Sequence, residues 1–140
     1  MDENLLHDVV AAARKAGADA AEAVFAERQS LSVSVRLGEL EEVEREEARD
    51  LGLRVFIGQR SATVSGSDIS AEARTKLIER AVAMARLAPE DPYASLPPQD
   101  RLARAPYPEL DLVDPYEPSA EALETQARTA EDAARAVKGV

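Results

Sequence analysis

The chain has no cysteine, no tryptophan, a single histidine and only five aromatic residues among 140. Without cysteine there is no disulfide framework and no thiolate chemistry, so a reducing compartment is permitted. Phe25, Phe56, Tyr93, Tyr107 and Tyr116 are the whole aromatic complement, so the core must be aliphatic and rich in alanine. Basic residues are also scarce, 17 Lys and Arg against 27 Asp and Glu, which gives a formal net charge of −10. That balance opposes nucleic acid, whose phosphates demand Lys and Arg clusters, and it opposes an anionic membrane surface. No apolar run approaches the roughly 20 residues needed to span a bilayer. The opening MDENLLHDVV lacks the basic start and apolar stretch of a secretory signal. Composition therefore predicts a soluble, cytoplasmic, acidic domain. Proline is missing before Pro89, and all eight prolines fall between Pro89 and Pro118.

What is present is patterned. Asn4 is placed to cap a first helix whose apolar stripe is Leu5, Leu6, Val9, Val10, Ala13 and Ala16, with Gly17 ending it. From Ala20 the period shortens to two. Ala20, Glu22, Val24 and Ala26 alternate with Ala21, Ala23 and Phe25, and after a polar interval Leu31, Val33, Val35 and Leu37 share a face. Gly38-Glu39 is a plausible turn. Glu39–Asp50 fits helical spacing through Leu40, Val43, Glu47, Ala48 and Leu51, yet a helix there would interrupt a meander; periodicity alone does not decide, and the charges favour an edge-like strand. Leu51, Leu53, Val55 and Ile57 alternate again, Gly58-Gln59-Arg60-Ser61 breaks the run, and Ala62, Val64 and Gly66 resume it as a hairpin.

Ser70 caps the next helix, with Ala73, Leu77, Ala81, Met84, Ala85 and Ala88 as its inner stripe and Pro89 as its end. The proline segment reads as an extended connector that Tyr93, Tyr107 and Tyr116 pin to a surface. Ser119 starts a last helix with a thin seam of Ala120, Leu123, Ala127, Ala130, Ala134 and Val137, which needs a partner surface. The expected architecture is α+β: a helix, an antiparallel meander of four to five strands, a helix, a proline-rich arm and an alanine-rich C-terminal helix. The expected division is an α+β domain over 1–88, a connector over 89–118 and the helix over 119–140.

Chemistry-bearing residues are few. A zinc site collects three or four His, Cys or carboxylate ligands; His7 has only Asp2, Glu3 and Asp8 near it in sequence and reads as an ordinary, partly exposed histidine. The acidic run Glu39, Glu41, Glu42, Glu44, Glu46, Glu47 and Asp50 lacks the Asp/Asn-Gly spacing of a calcium loop, and Arg45 and Arg49 neutralise part of it, so it reads as a solvated face. Ser65-Gly66-Ser67 lacks the Lys-Ser/Thr of a P-loop and the full G-x-S-x-G pattern. Ser67 and Asp68 therefore read as turn and capping residues. Leu31–Leu37 and Leu51–Ile57 would accept an extended peptide if either lay at an open sheet edge, and the simpler expectation is that both are internal or covered. No catalytic, cofactor-binding or metal-ligating residue is assigned.

In order, AARKAGADAAEAVFAERQ (Ala12–Gln29), LSVSVRLGELEEVE (Leu31–Glu44), GLRVFIGQRSATVSGSDIS (Gly52–Ser70), APEDPYASLP (Ala88–Pro97) and LDLVDP (Leu110–Pro115) resemble the N-terminal region of the TldD/PmbA family, also called TldD/TldE or modulator of DNA gyrase. EDPYASLP and LDLVDP look more like the PmbA/TldE branch. The resemblance covers nearly the whole chain. Family members are considerably longer, so it implies a fragment or lone N-terminal domain of a heteromeric metallopeptidase that processes peptides. It places the zinc in the TldD subunit, on a HExxxH-type helix with a later cysteine. With only His7 and no cysteine, no family zinc ligand carries over, so zinc is implied only for a TldD-like partner. The implied partners are that subunit, the remainder of a longer chain and a peptide, and the chain alone is expected to be inactive. The alanine seam and the arm's tyrosines are the expected contacts. A free-standing acidic module binding a basic or extended segment is the alternative.

Overall fold

Three-to-four spacing of apolar residues builds the first element in the computed structural model, which describes residues 3–139: α1 spans Glu3–Lys15 and buries Val9 and Ala13. Met1, Asp2 and Val140, at the limits of the predicted first domain and last helix, lie outside the described residues. Asn4 is the second residue of α1, one position inside the helix. The far end follows the glycine rule. Gly17 adopts φ +109° and donates its N–H to Arg14 O at 3.1 Å, while Ala18 N–H reaches Ala13 O at 3.1 Å. This pair satisfies two terminal carbonyls, and the buried methyls of Ala13 and Ala18 lie at the two ends of the motif.

The strands are β1 (Ala20–Arg36), β2 (Glu39–Ile57) and β3 (Arg60–Gly66), in the spatial order β1-β2-β3 of an antiparallel meander. Three strands stand where four to five were expected. Glu27-Arg28-Gln29-Ser30 and the Asp50–Leu51 junction contain neither Gly nor Pro, so nothing there turns the chain and two predicted pairs merge into long strands. Glu39–Asp50 is strand. β3 pairs only with Leu51–Ile57, from Leu51↔Gly66 to Ile57↔Arg60, so residues 39–50 have no partner on that side. The β1–β2 turn is Leu37-Gly38, not Gly38-Glu39, with φ +54° and +79°. Two left-handed residues make it a type I′ reversal, which matches strand twist.

β3 leads through Asp68 and Ser70 into α2 (Ala71–Leu87). Asp68 Oδ1 accepts the Ser70 N–H at 2.9 Å, and Ser70 Oγ accepts the Ala73 N–H at 3.3 Å. The buried residues of α2 are Leu77, Ile78, Ala81, Val82 and Ala85. Met84, expected inside, is 46 % exposed. Turning the helix slightly puts the branched Ile78 and Val82 inward in its place. A three-residue 3-10 turn at Gln99–Arg101 and then α3 (Ala120–Arg135) follow, with Ser119 Oγ accepting the Ala122 N–H at 3.2 Å.

The chain forms two compact units, and β1 and β2 contribute to both. The first comprises the residues up to Glu27 and Ala48–Tyr107. Its core joins Leu51, Leu53, Val55 and Val64 of one sheet face to α1 and α2. Full burial of each large aliphatic side chain contributes about 1.5–3 kcal/mol. Asp19 ties the α1–β1 junction to the β2–β3 turn: its N–H donates to Phe56 O at 2.9 Å, and its Oδ2 accepts the Gly58 N–H at 2.7 Å. The start of the proline segment is held by Arg60–Glu90 at 3.0 Å and by the Asp91 N–H on Gln59 O at 2.7 Å. Tyrosines do not pin it, since Tyr93 and Tyr107 are 89 % and 67 % exposed.

The second unit comprises Arg28–Glu47 and the chain from Pro108 onward. It is a two-stranded ribbon with Leu31, Val33 and Val35 half-buried, together with α3. The half-buried residues of α3 are Ala120, Ala122, Leu123, Glu124, Ala127, Arg128 and Glu131, and Val137 of the expected seam is 59 % exposed. The face turns polar for a reason. The Leu37 and Gly38 N–H groups donate to the two carboxylate oxygens of Glu131, the second at 2.8 Å. Arg128 donates to Gly38 O and pairs with Glu124 at 2.7 Å. Glu131 thus caps the two amides of the left-handed turn.

Candidate functional site

The described residues contain no group of three or more His, Cys, Asp or Glu suited to a metal ion. His7 is exposed on α1. The acidic run lies along the exposed ribbon, laced by Arg28–Glu46 (3.9 Å), Arg36–Glu41 (3.3 Å) and Arg45–Glu47 (3.4 Å). Exposed pairs of this kind contribute at most about 1 kcal/mol each. Ser65-Gly66-Ser67 ends β3 beside a hollow of about 390 Å³. Its two cations are engaged, Lys76 with Glu72 at 2.7 Å and Arg80 with Ser65 O at 3.2 Å. The Ser70 amide holds the Asp68 carboxyl below the usual carboxylate range, with the Ser70 side chain reinforcing it. Leu51–Ile57 is internal, between β1 and β3, so it offers no open edge; Leu31–Arg36 belongs to an outer strand, and Leu37 is in the turn.

The sheet face opposite the helices carries Gly52, Arg54 and Phe56. The Arg54 guanidinium lies 4.7 Å from the Phe56 ring centroid and pairs with Glu22 at 3.5 Å. A Cβ on Gly52 would sit 2.9 Å from Val24 Cγ1, so glycine lets β1 and β2 approach there.

The largest hollow described, about 530 Å³, lies wholly in the first unit. Leu5, Phe25 and Ile69 give it an apolar wall. Four charged residues, Asp8, Glu27, Arg49 and Arg74, complete the lining. Glu27 and Arg49 satisfy each other at 2.7 Å. Arg74 Nε is shut off from water and has no hydrogen-bond partner. Sequence reasoning missed this site because its residues come from both helices, two strands and a loop, and no local spacing links them.

A two-layer α+β domain of helices on a meander is the class the fold defines. Residues 21–85 match the sequence profile described as PmbA/TldA metallopeptidase domain 1. "Metalloprotease PmbA" of Escherichia coli O157:H7 is 35 % identical over 123 residues, covering 87 % of this chain and 27 % of the relative. A PmbA homolog of Haemophilus influenzae is 38 % identical over 91 residues, covering 65 % and 20 %. The chain thus spans about a quarter of the length of these relatives. Two solved structures share the fold. One, a protein described as a modulator of DNA gyrase from Bacteroides thetaiotaomicron, superposes with a TM-score of 0.78 at 19 % identity, covering 99 % of this chain and 32 % of its own. The other, TldE from Thermococcus kodakarensis, gives 0.71 at 21 %, covering 94 % and 29 %. The chain belongs to the PmbA/TldD family, as its N-terminal region. No helix among the described residues is long and apolar enough to cross a membrane.

Proposed function

We propose that this chain is the N-terminal domain of a PmbA/TldE-like subunit in a metallopeptidase assembly that processes peptides. The observation that carries this reading is the 35 % identity to metalloprotease PmbA over 87 % of the chain. In this reading the metal chemistry belongs to a TldD-like partner, and this chain contributes structure and part of a peptide-holding cavity. It fits a domain whose charged residues are mostly satisfied by local partners. Solution mass tests it, measured by light scattering for the chain alone and mixed with a TldD-like subunit. A stable mixed complex supports the reading. A monomer indifferent to that subunit, both alone and as part of a full-length PmbA-like protein, overturns it.

A further inference from the structure

The hollow in the first unit holds two opposite charges that no described residue satisfies. Among the described residues nothing hydrogen-bonds or pairs with the Arg74 side chain, which lines it, and its Nε is sealed from water. A guanidinium presents five donors and gains most from a carboxylate that meets it in the plane. Asp8 lines the same hollow, exposed and without an ion pair. The two therefore stand more than the 4.0 Å of an ion pair apart, although they share the space. The remaining charges, Glu27 and Arg49, are paired at 2.7 Å and so add no net charge. The free cation and the free anion share the hollow with the apolar wall of Leu5, Phe25 and Ile69.

These features discriminate among ligands. A phosphate would gain one free guanidinium and face the free carboxylate of Asp8. A metal cation would find one free carboxylate beside a fixed positive charge. A neutral apolar molecule would leave both charges unmatched. We infer that the hollow binds a small zwitterion with an apolar side chain: its carboxylate on Arg74, its ammonium toward Asp8, and its side chain against Leu5, Phe25 and Ile69. A free apolar amino acid and an apolar dipeptide share this chemistry, and a cavity of about 530 Å³ admits either.

The test titrates the 140-residue chain with leucine, N-acetyl-leucine, leucinamide and leucyl-leucine, following backbone amide resonances. Leucine or leucyl-leucine should perturb the amides of Leu5, Phe25, Ile69 and Arg74; the tighter of the two identifies the source. Removing one ligand charge, as in N-acetyl-leucine or leucinamide, should weaken binding at least about tenfold. Arg74→Gln should weaken leucine by a similar factor yet leave leucinamide unchanged, and Asp8→Asn should weaken leucine yet leave N-acetyl-leucine unchanged. Arg80→Gln, outside the hollow, should change nothing. Equal binding of all four compounds, perturbations centred elsewhere, or no binding of either zwitterion would overturn the inference. The ligand-side changes keep it falsifiable even if a variant fails to fold.

Discussion

The two compact units are built on opposite terms. The first buries Leu51, Leu53 and Val55 almost completely against two helices. The second has no fully buried residue among those described, and its helix meets the ribbon through carboxylate and guanidinium contacts with the turn. Charge divides as unevenly. The second unit holds fourteen Asp and Glu against six Arg and Lys, while the first is close to balance with thirteen against eleven. Hydrophobic burial stabilises the first unit without outside help. The second relies on polar contacts, each worth about 1 kcal/mol net and weakened by salt. It leaves apolar surface at Leu112, Val113 and Val137 exposed.

Substitutions at equivalent chemistry should expose that contrast. Leu53→Ala should cost about 2–5 kcal/mol in urea unfolding, whereas Leu123→Ala on α3 should cost less than about 1.5 kcal/mol. Equal costs would erase the distinction between the units. Next in size is Glu131→Gln, which removes the charge that accepts two turn amides. It should lower local stability by about 1–2 kcal/mol and speed exchange of the Leu37 and Gly38 amides, leaving Val55 unaffected. Unchanged exchange at those amides would show that the clamp contributes nothing.

A gain of up to about 1 kcal/mol is expected from Leu37→Asn, because a branched side chain at φ +54° is strained and asparagine tolerates that region. The gain should appear in the ribbon amides alone, and a loss of their protection would contradict the turn geometry. The smallest effect concerns Asp68. Its folded carboxyl titrates lower than in the unfolded chain, chiefly through the Ser70 amide. Its contribution is therefore complete above the unfolded value and fades as pH falls through the lower, folded one. Asp68→Asn removes the charge that strengthens this bond, so its melting temperature should lie slightly below the parent's at neutral pH and converge with it below about pH 4. A difference at acid pH as large as at neutral pH would refute this.

Much of the first unit was legible in the chain because its determinants are local. Gly17, Gly58 and Ser70 mark the ends and turns of its elements from their own positions, and the alternation of Leu51, Leu53 and Val55 names its own buried face. The strand count was not, since polar Glu27–Ser30 looks like a loop but has no residue that forces a turn. The α3 face was misread beyond Ala127 for another reason: Glu131 and Arg128 answer to a turn 90 to 94 residues earlier, and no helical period carries that. The hollow at Arg74 is likewise assembled from distant segments. The tyrosines misled because aromatic content suggests burial, while backbone and Arg60 contacts anchor the arm.

The Glu131 clamp also has a kinetic consequence. Joining residues 94 apart closes a loop whose entropy cost is about 4 kcal/mol if the intervening chain is still unfolded. That cost falls once the residues between have condensed. Assembly should therefore be ordered, the meander and its helices first and the ribbon's tip last, with pulse-labelled exchange protecting Val55 before Gly38. In a synthesis that proceeds from the N-terminus, the turn at Leu37-Gly38 waits for α3 to emerge before its amides find their acceptor.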